Sequence, residues 1–284
     1  MSDSNDIVVN TFPDVLAAIT PKRVGDNWFI GDSLKPQRRL FGGQVLAQCL
    51  LAAYETVDES LTAHSMHAYF LRAGDANQPI ELEVDPIRNG RSFCTRRVVA
   101  RQGGDAIFNT SISYHVTEDG VSHQMAMPSA PTPEEAIALN RSRDDPQPRS
   151  LIDLFGVERQ RITERLAEAQ EPVSQSWFRV NGPFEGCVRT QQAALAIISD
   201  FSLLSTSFYA HPYDRPERVF MGASLDHAIW FHQSARMDNW ILYDCYSPWS
   251  SGGRGYNRGS LWTPDGRLIA STTQESLMRL WKKR

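Results

Sequence analysis

From Phe41 onward the chain alternates between two kinds of hydrophobic patterning. The run from Gly43 to Val57 carries apolar or small residues on most faces, which predicts a buried helix rather than an amphipathic surface one. A buried helix needs a wrapping partner, and the segments Ala63–Leu71, Ile80–Ile87, Ser92–Arg101 and Ala106–Val116 supply one, each reading as a strand. They are separated by Gly74-Asp75, Asn89-Gly90 and Gly103-Gly104-Asp105. Glycine takes φ > 0 without a Cβ clash, so the Asn-Gly and Gly-Gly pairs predict tight hairpins between antiparallel neighbours. An earlier strand is expected over Val24–Gly31.

The order then repeats. A strand near Val173–Val180 and an apolar helix over Val188–Ser199 are followed by expected strands at Ser224–His232, Trp240–Pro248, Gly255–Trp262 and Arg267–Met278. Asn89-Gly90 matches Ser251-Gly252 and Gly103-Gly104 matches Asp265-Gly266 at one offset, 162 residues, and His67-Ala68 matches His227-Ala228 at 160. These matches predict a tandem duplication over residues 1–117 and 172–284, each half a sheet around its own helix, with the halves paired edge to edge. Residues 118–171, Pro-rich and charged, are expected to be a linker crossing the surface. Within it the VERQRITERLAEAQ segment has helical spacing, and Asp144–Pro148 fits neither a helix nor a strand interior.

Composition narrows the function. With 29 Lys+Arg against 33 Asp+Glu, formal charge −4, the chain has no overall basic field for a nucleic-acid backbone. Its four cysteines show neither a C-x-x-C pair nor zinc-ligand spacing, so no metal or redox motif is expected. The acidic N-terminal stretch lacks a signal peptide's charge and apolar core, and no apolar run of about 18 residues occurs. The last residues, Trp281-Lys282-Lys283-Arg284, do not spell a peroxisomal address. A cytoplasmic protein without stable membrane anchoring is expected.

Several motifs resemble the acyl-CoA thioesterase II (TesB-type) family. In the first half these are Phe41-Gly42-Gly43-Gln44, the segment from His64 to Asp75 and Arg88-Asn89-Gly90-Arg91-Ser92-Phe93. In the linker and second half they are Met127-Pro128-Ser129-Ala130-Pro131, the segment from Leu225 to His232 and Ala270-Ser271-Thr272-Thr273-Gln274-Glu275. The resemblance implies an α+β tandem double hotdog, two antiparallel sheets each wrapped around a long helix and joined into one extended sheet. It also implies hydrolysis of fatty acyl-CoA to free acid and coenzyme A, and a homo-oligomer of two or more copies. No metal or other cofactor is implied, coenzyme A being part of the substrate. Carried over by position, the family's water-holding Asp, Thr or Ser, and Gln fall on Asp200, Ser224 and Gln274. Ser224 stands where bacterial members have threonine, keeping the hydroxyl but losing the methyl that fixes its rotamer.

These residue types suit the reaction. A thioester has a good leaving group, so its main need is a positioned and deprotonated water. Asp200 in the apolar run AALAIISDFSLL is placed to have a raised pKa and act as general base. The Ser224 hydroxyl and Gln274 amide can orient that water or donate to the oxyanion. Gly42-Gly43 reads equally as a tight helix entry or an oxyanion contact, and His67 and His227 read as equivalent, hydrogen-bonded structural histidines. Any of Arg72, Arg88, Arg91, Arg96, Arg97, Arg254 and Arg258 could meet the phosphates of coenzyme A, as could none of them.

Three rivals remain open at this stage. Gly222-Ala223-Ser224 begins like a nucleophile elbow but enters a strand rather than a strand-turn-helix unit. An enoyl-CoA hydratase-like enzyme on the same fold would pair an Asp with a His, and no His lies within two turns of Asp200 in sequence. A non-catalytic acyl-CoA-binding protein would bind the ester without turnover.

Overall fold

The structure is a computed structural model that describes residues 10–37, 39–142, 151–164, 166, 168–211 and 218–282. The acidic stretch at residues 1–9, Asp144–Pro148 and Lys283-Arg284, all used in the sequence reading, lie outside the described residues.

The chain opens with a helix the hydrophobic pattern had not revealed, α1 (Phe12–Ile19), buried through Phe12, Val15 and Ile19. Thr11 caps it by accepting the Asp14 N–H, and proline in the first turn supplies a preset φ. The single strand expected over Val24–Gly31 is a hairpin, β1 (Lys22–Gly25) and β2 (Trp28–Gly31), because Asp26 and Asn27 form the turn between them.

The first long helix, α2 (Gly42–Tyr54), is buried from Gly43 through Tyr54, as its all-round apolar pattern predicts. It is followed by β3 (Leu61–Phe70), β4 (Ile80–Asn89), β5 (Phe93–Gln102) and β6 (Asp105–Val116). At the β5–β6 turn Gly103 and Gly104 both have positive φ, 56° and 87°, as the Gly-Gly signal requires. The β4–β5 turn differs. Gly90 keeps a negative-side φ, and its N–H donates to the Phe93 carbonyl across a loop of three residues. The corresponding turn in the second half uses Gly252 and Gly253 (φ 59° and 75°), one residue beyond the expected Ser251-Gly252 pair.

Between the halves lie α3 (Pro133–Ser142), α4 (Leu151–Leu154) and β7 (Val157–Arg161). The helical spacing after Val157 gives way to a strand, since Val157–Arg161 pair antiparallel with β8 (Val173–Val180) and cover its open edge. The segment before α3, together with α3 itself, straps the outer face of the second sheet. Met127 and Ala130 of that segment and Ala136 of α3 pack on Trp177, Leu242 and Trp262, and the Trp177 indole N–H donates to Pro131 O (2.8 Å).

The second half contains α5 (Val188–Ser199), the short α6 (Leu203–Thr206), β9 (Arg218–Ser224), β10 (Asp226–Phe231), β11 (Ile241–Ser251), β12 (Arg254–Trp262) and β13 (Leu268–Lys282). Among the described residues, 13 strands make one antiparallel sheet in the order β1-β2-β4-β5-β6-β3-β10-β13-β12-β11-β8-β7, with β9 also on β13. Reading outward from the centre, β3-β6-β5-β4-β2 matches β10-β13-β12-β11-β8, and the halves join through β3 and β10. This is a tandem double hotdog. The two long helices lie against one another in the trough. Leu46 and Leu50 of α2 are fully enclosed, so truncating either to alanine costs about 2–5 kcal/mol.

The expected strand Ser224–His232 is broken at Leu225. Its N–H donates to Glu275 O and its carbonyl accepts from Phe70 N, so β9 and β10 run in succession along the same long β13. This break sets Ser224 opposite Ser276 at the end of β9.

Candidate active site

Asp200 is the C-cap of α5 (φ −91°, ψ −3°), at the seam where the first half meets the second. The N-terminus of α2 faces it. The Gly43 backbone N–H donates to the Asp200 carboxylate, and an added Cβ on Gly42 would lie 2.6 Å from Asp200 Oδ2. A Cβ on Gly43 would lie 2.8 Å from the Ile197 carbonyl, so the glycine pair lets the two helices approach. Phe41, the N-cap of α2, stacks on Phe201 just after Asp200 (centroids 4.7 Å apart) and fixes the same junction from the other side.

A cavity of about 660 Å³ opens beside this junction. Its wall takes Phe41, Gly42, Val45 and Phe70 from the first half and Asp200, Phe201, Leu204 and Ser224 from the second. It is therefore an apolar chamber with a carboxyl and a hydroxyl set into one side. Arg39 and Arg72 also line it, Arg72 being the only member of the arginine set from the sequence reading to do so. Arg97 pairs with Asp85, Arg254 with Glu275, Arg258 meets the Tyr246 and Tyr256 hydroxyls, and buried Arg96 donates to Thr56 and to the Arg88 and Thr95 carbonyls.

The three residues carried over from the family motif stand together. The Gln274 amide nitrogen donates to Ser224 Oγ, and the Gln274 side chain also approaches the Asp200 carboxylate. Asp200 touches the cavity but is otherwise enclosed by protein, and burial pushes its pKa up to about 7 against the opposing pull of the Gly43 and Gln274 donors. Asp200 Oδ1 and Gln274 Oε1 are buried acceptors without a protein hydrogen-bond partner.

Gln274 itself is fully buried behind Ser224, in a polar layer of the second half that includes Asn257, Thr272 and Tyr243. The Tyr243 hydroxyl donates to Ser199 O (2.8 Å), which ties this layer to the last turn of α5.

His227 belongs to this layer, and His67 does not. The sheet pairs His67 with Ala228 and Ala68 with His227, so the two histidines fall on opposite faces. His67 is exposed and sits edge-on to Trp230, whereas His227 is fully buried with its Nε2 2.9 Å from Ser199 Oγ. The matching offset of 160 residues is even, while the buried positions of β3 beyond its register shift (Met66, Ala68) and of β10 (His227, Ile229, Phe231) differ in parity, so the expected equivalence fails by one step of the pleat. The fold thereby brings a histidine beside the residue preceding Asp200, which spacing along the chain had not revealed. Burial holds His227 neutral, with its pKa lowered to about 4, and it does not line the cavity.

Ser224 ends a strand paired antiparallel with β13, which is not the strand-turn-helix setting of a nucleophile elbow. Among the described residues no group of three or more His, Cys, Asp or Glu side chains could hold a metal ion, and no helix is long and apolar enough to cross a membrane.

Two family models match the chain, an acyl-CoA thioesterase N-terminal domain over residues 31–115 and an acyl-CoA thioesterase C-terminal domain over residues 126–278. Mouse (Mus musculus) acyl-coenzyme A thioesterase 8 is 37% identical over 261 residues, 86% of this chain and 81% of the relative. Acyl-CoA thioesterase 2 of Haemophilus influenzae is 36% identical over 254 residues, 85% and 88% of the two chains. The crystal structure of an acyl-CoA thioesterase II from Mycobacterium marinum superposes with a TM-score of 0.79 at 35% identity, covering 93% of this chain and 98% of that one. With both halves matched in order and the double hotdog in place, the chain belongs to the acyl-CoA thioesterase II (TesB-type) family.

Proposed function

We propose that this chain hydrolyses acyl-CoA thioesters with a water activated by Asp200 and oriented by Ser224 and Gln274. The observation that carries the reading is a buried carboxyl with a pKa near 7 set into the wall of an apolar chamber, in contact with the other two side chains' network. The acyl chain occupies the apolar part of the cavity, and the carbonyl comes to the Asp200–Ser224 side.

Asp200 removes a proton from water as the water oxygen bonds to the carbonyl carbon. The electron pair of the carbonyl moves onto oxygen, where a hydroxyl or backbone N–H donor holds it. Collapse of the tetrahedral intermediate breaks the C–S bond. The departing thiolate then takes the proton from Asp200, a downhill transfer because a thiol with pKa about 8.5 is more basic than a carboxylate near 7. Nothing in this cycle requires a covalent acyl-enzyme or a metal.

Arg39 and Arg72 on the cavity wall are suited to the phosphates of the coenzyme A moiety, since guanidinium forks bind phosphate bidentately. Thiol release from a panel of acyl-CoA esters tests the function, and binding without thiol release would overturn it in favour of a sensor. Cytoplasmic location is tested by fractionation, the yeast relative being named a peroxisomal acyl-coenzyme A thioester hydrolase. Self-association, expected from the family resemblance, is tested by light scattering.

A further inference from the structure

The peptide unit that carries Asp200 is gripped at both of its ends. Its oxygen is the Ser199 carbonyl, which accepts from the Tyr243 hydroxyl (2.8 Å), and its nitrogen is that of Asp200, whose N–H donates to the Ile197 carbonyl (3.3 Å). A peptide unit is planar, so holding both ends fixes the plane from which the Asp200 side chain departs. The bond at nitrogen lies within the last turn of α5. The bond at oxygen comes from β11, and it ties the Asp200 peptide to the same sheet that bears Ser224 and Gln274.

The direction of this bond follows from its partners. A carbonyl only accepts, so the single proton of the Tyr243 hydroxyl goes to Ser199 O. Tyr243 Oη also lies 2.9 Å from Thr272 Oγ1, and there it accepts, with the threonine hydroxyl as donor. Both side chains are buried, and burial raises the phenol well above its ordinary pKa, so the donor keeps its proton across the working range of the enzyme.

The sequence makes room for the ring at Gly259. In β12 this residue pairs with Cys245 of β11 on one side and with Thr272 of β13 on the other. An added Cβ would lie 2.5 Å from Tyr243 Cε2 and 2.7 Å from Thr272 Oγ1, so glycine lets a phenol rooted on β11 pass over β12 to reach Thr272 and the end of α5. The Ser199 side chain adds a further tether, its Oγ lying 2.9 Å from the Ala196 carbonyl and 2.9 Å from His227 Nε2. The residue before Asp200 is thus held through its backbone by β11 and through its side chain by β10.

We infer that Tyr243 is a positioning residue for the hydrolysis: its hydroxyl holds the Ser199–Asp200 peptide and thereby sets the direction in which the Asp200 carboxyl meets the reacting water. This rests on the water-activation reading of Asp200. Tyr243 does not line the cavity, and it acts only through the peptide it holds.

The test is a double-substitution cycle on thiol release, with the folding of each protein checked by its melt. Tyr243→Phe keeps the ring and deletes the hydroxyl. It should lower kcat about 10-fold with KM nearly unchanged, short of the roughly 10²-fold that a 1 Å misplacement of a reacting group can cost. In an Asp200→Asn background no carboxyl remains to be aimed, and there Tyr243→Phe should change the residual rate less than about 2-fold. A merely structural role would cut both rates by the same factor. Gly259→Ala displaces the ring without deleting the hydroxyl; it should show the same dependence on Asp200, and it carries the cycle if Tyr243→Phe does not fold. Equal losses in the two backgrounds overturn the inference, as does a native kcat in Tyr243→Phe or an effect confined to KM. A native rate in Asp200→Asn would sink the water-activation reading and this inference with it, and the single variant gives that result apart from the cycle.

Discussion

The carboxylate of Asp200 accepts a hydrogen bond from the backbone N–H of Gly43, so the C-terminus of one hotdog helix and the N-terminus of the other meet at a single side chain. The two helix ends act on it in opposite senses. The carbonyl end of α5 disfavours the anion and the amide end of α2 favours it. Burial outweighs the donors, and the group is left near neutrality's midpoint, where a general base is most useful.

A first prediction concerns Asp200→Asn. Removing the base should lower kcat by about 10²-fold or more, within the range for general-base catalysis. For the native enzyme, kcat/KM should climb with pH through about 7 and level off above it, as the carboxylate forms. Steady-state thiol release across pH 5 to 9 checks both, and a variant with native rate would show that another group activates the water.

The same substitution should stabilise the fold in alkali. A carboxyl whose pKa rises from 3.8 to about 7 on folding binds more protons in the native than in the unfolded chain, so stability is lost as pH climbs through that window. At about 1.4 kcal/mol per pH unit, carrying the anion costs up to about 4 kcal/mol above pH 7. Denaturant unfolding at pH 8 should find Asp200→Asn more stable than native, and equal or lower stability would refute the buried-charge account.

His227 has the opposite linkage. Its pKa falls from 6.5 to about 4, so it contributes stability that is present above pH 6.5 and lost as pH drops toward 4, about 3 kcal/mol in all. In the native protein Asp200 gains as His227 loses over nearly the same interval. Melting temperature should therefore change little between pH 6.5 and 4.5 from these two groups, whereas Asp200→Asn should fall steeply there. Parallel pH profiles for the two proteins would contradict the compensation.

Much of this was legible in the sequence, for physical reasons that differ by element. The α2 and α5 helices announce themselves because burial on all sides leaves no polar face to blur the pattern. The β5–β6 turn is legible because only glycine makes φ > 0 cheap at both Gly103 and Gly104. Asp200 stands out as a charge in an apolar run. What was hidden depends on contacts between distant segments. Strand β7 has helical spacing and becomes a strand only by covering the edge of β8. Val24–Gly31 hides a turn at Asp26-Asn27, and the phase of His227 against His67 is set by the β3–β10 register. That His227 alternates inward with Ile229 and Phe231 is the one local clue to its burial.

The glycine pair makes a contrast that can be measured. Gly42→Ala places a methyl 2.6 Å from Asp200 Oδ2 and 2.8 Å from the Phe70 ring, both side chains, so the clash is relieved by displacing the base. Gly43→Ala meets the Ile197 carbonyl at 2.8 Å, which is backbone, so relief requires the helices to part. Gly42→Ala should therefore lose kcat with a modest change in melting temperature, while Gly43→Ala should lose stability by about 1–3 kcal/mol as an overpacked site. The reverse ranking in paired kinetics and melts would show that the approach of α2 to Asp200 does not depend on these positions.

Chain-length preference offers the last test, because Leu204 of α6 lines the cavity. An indole there takes up space that an acyl chain would otherwise fill. Leu204→Trp should reduce kcat/KM for long acyl-CoA about 10-fold or more while leaving short esters within a few-fold of native, since each methylene excluded from an apolar site is worth about 1 kcal/mol or more. Arg39→Gln should behave differently, raising KM for every chain length alike, because the partner proposed for it is the coenzyme A phosphate common to all. A uniform effect of Leu204→Trp across the ester series would place the acyl chain elsewhere than this cavity.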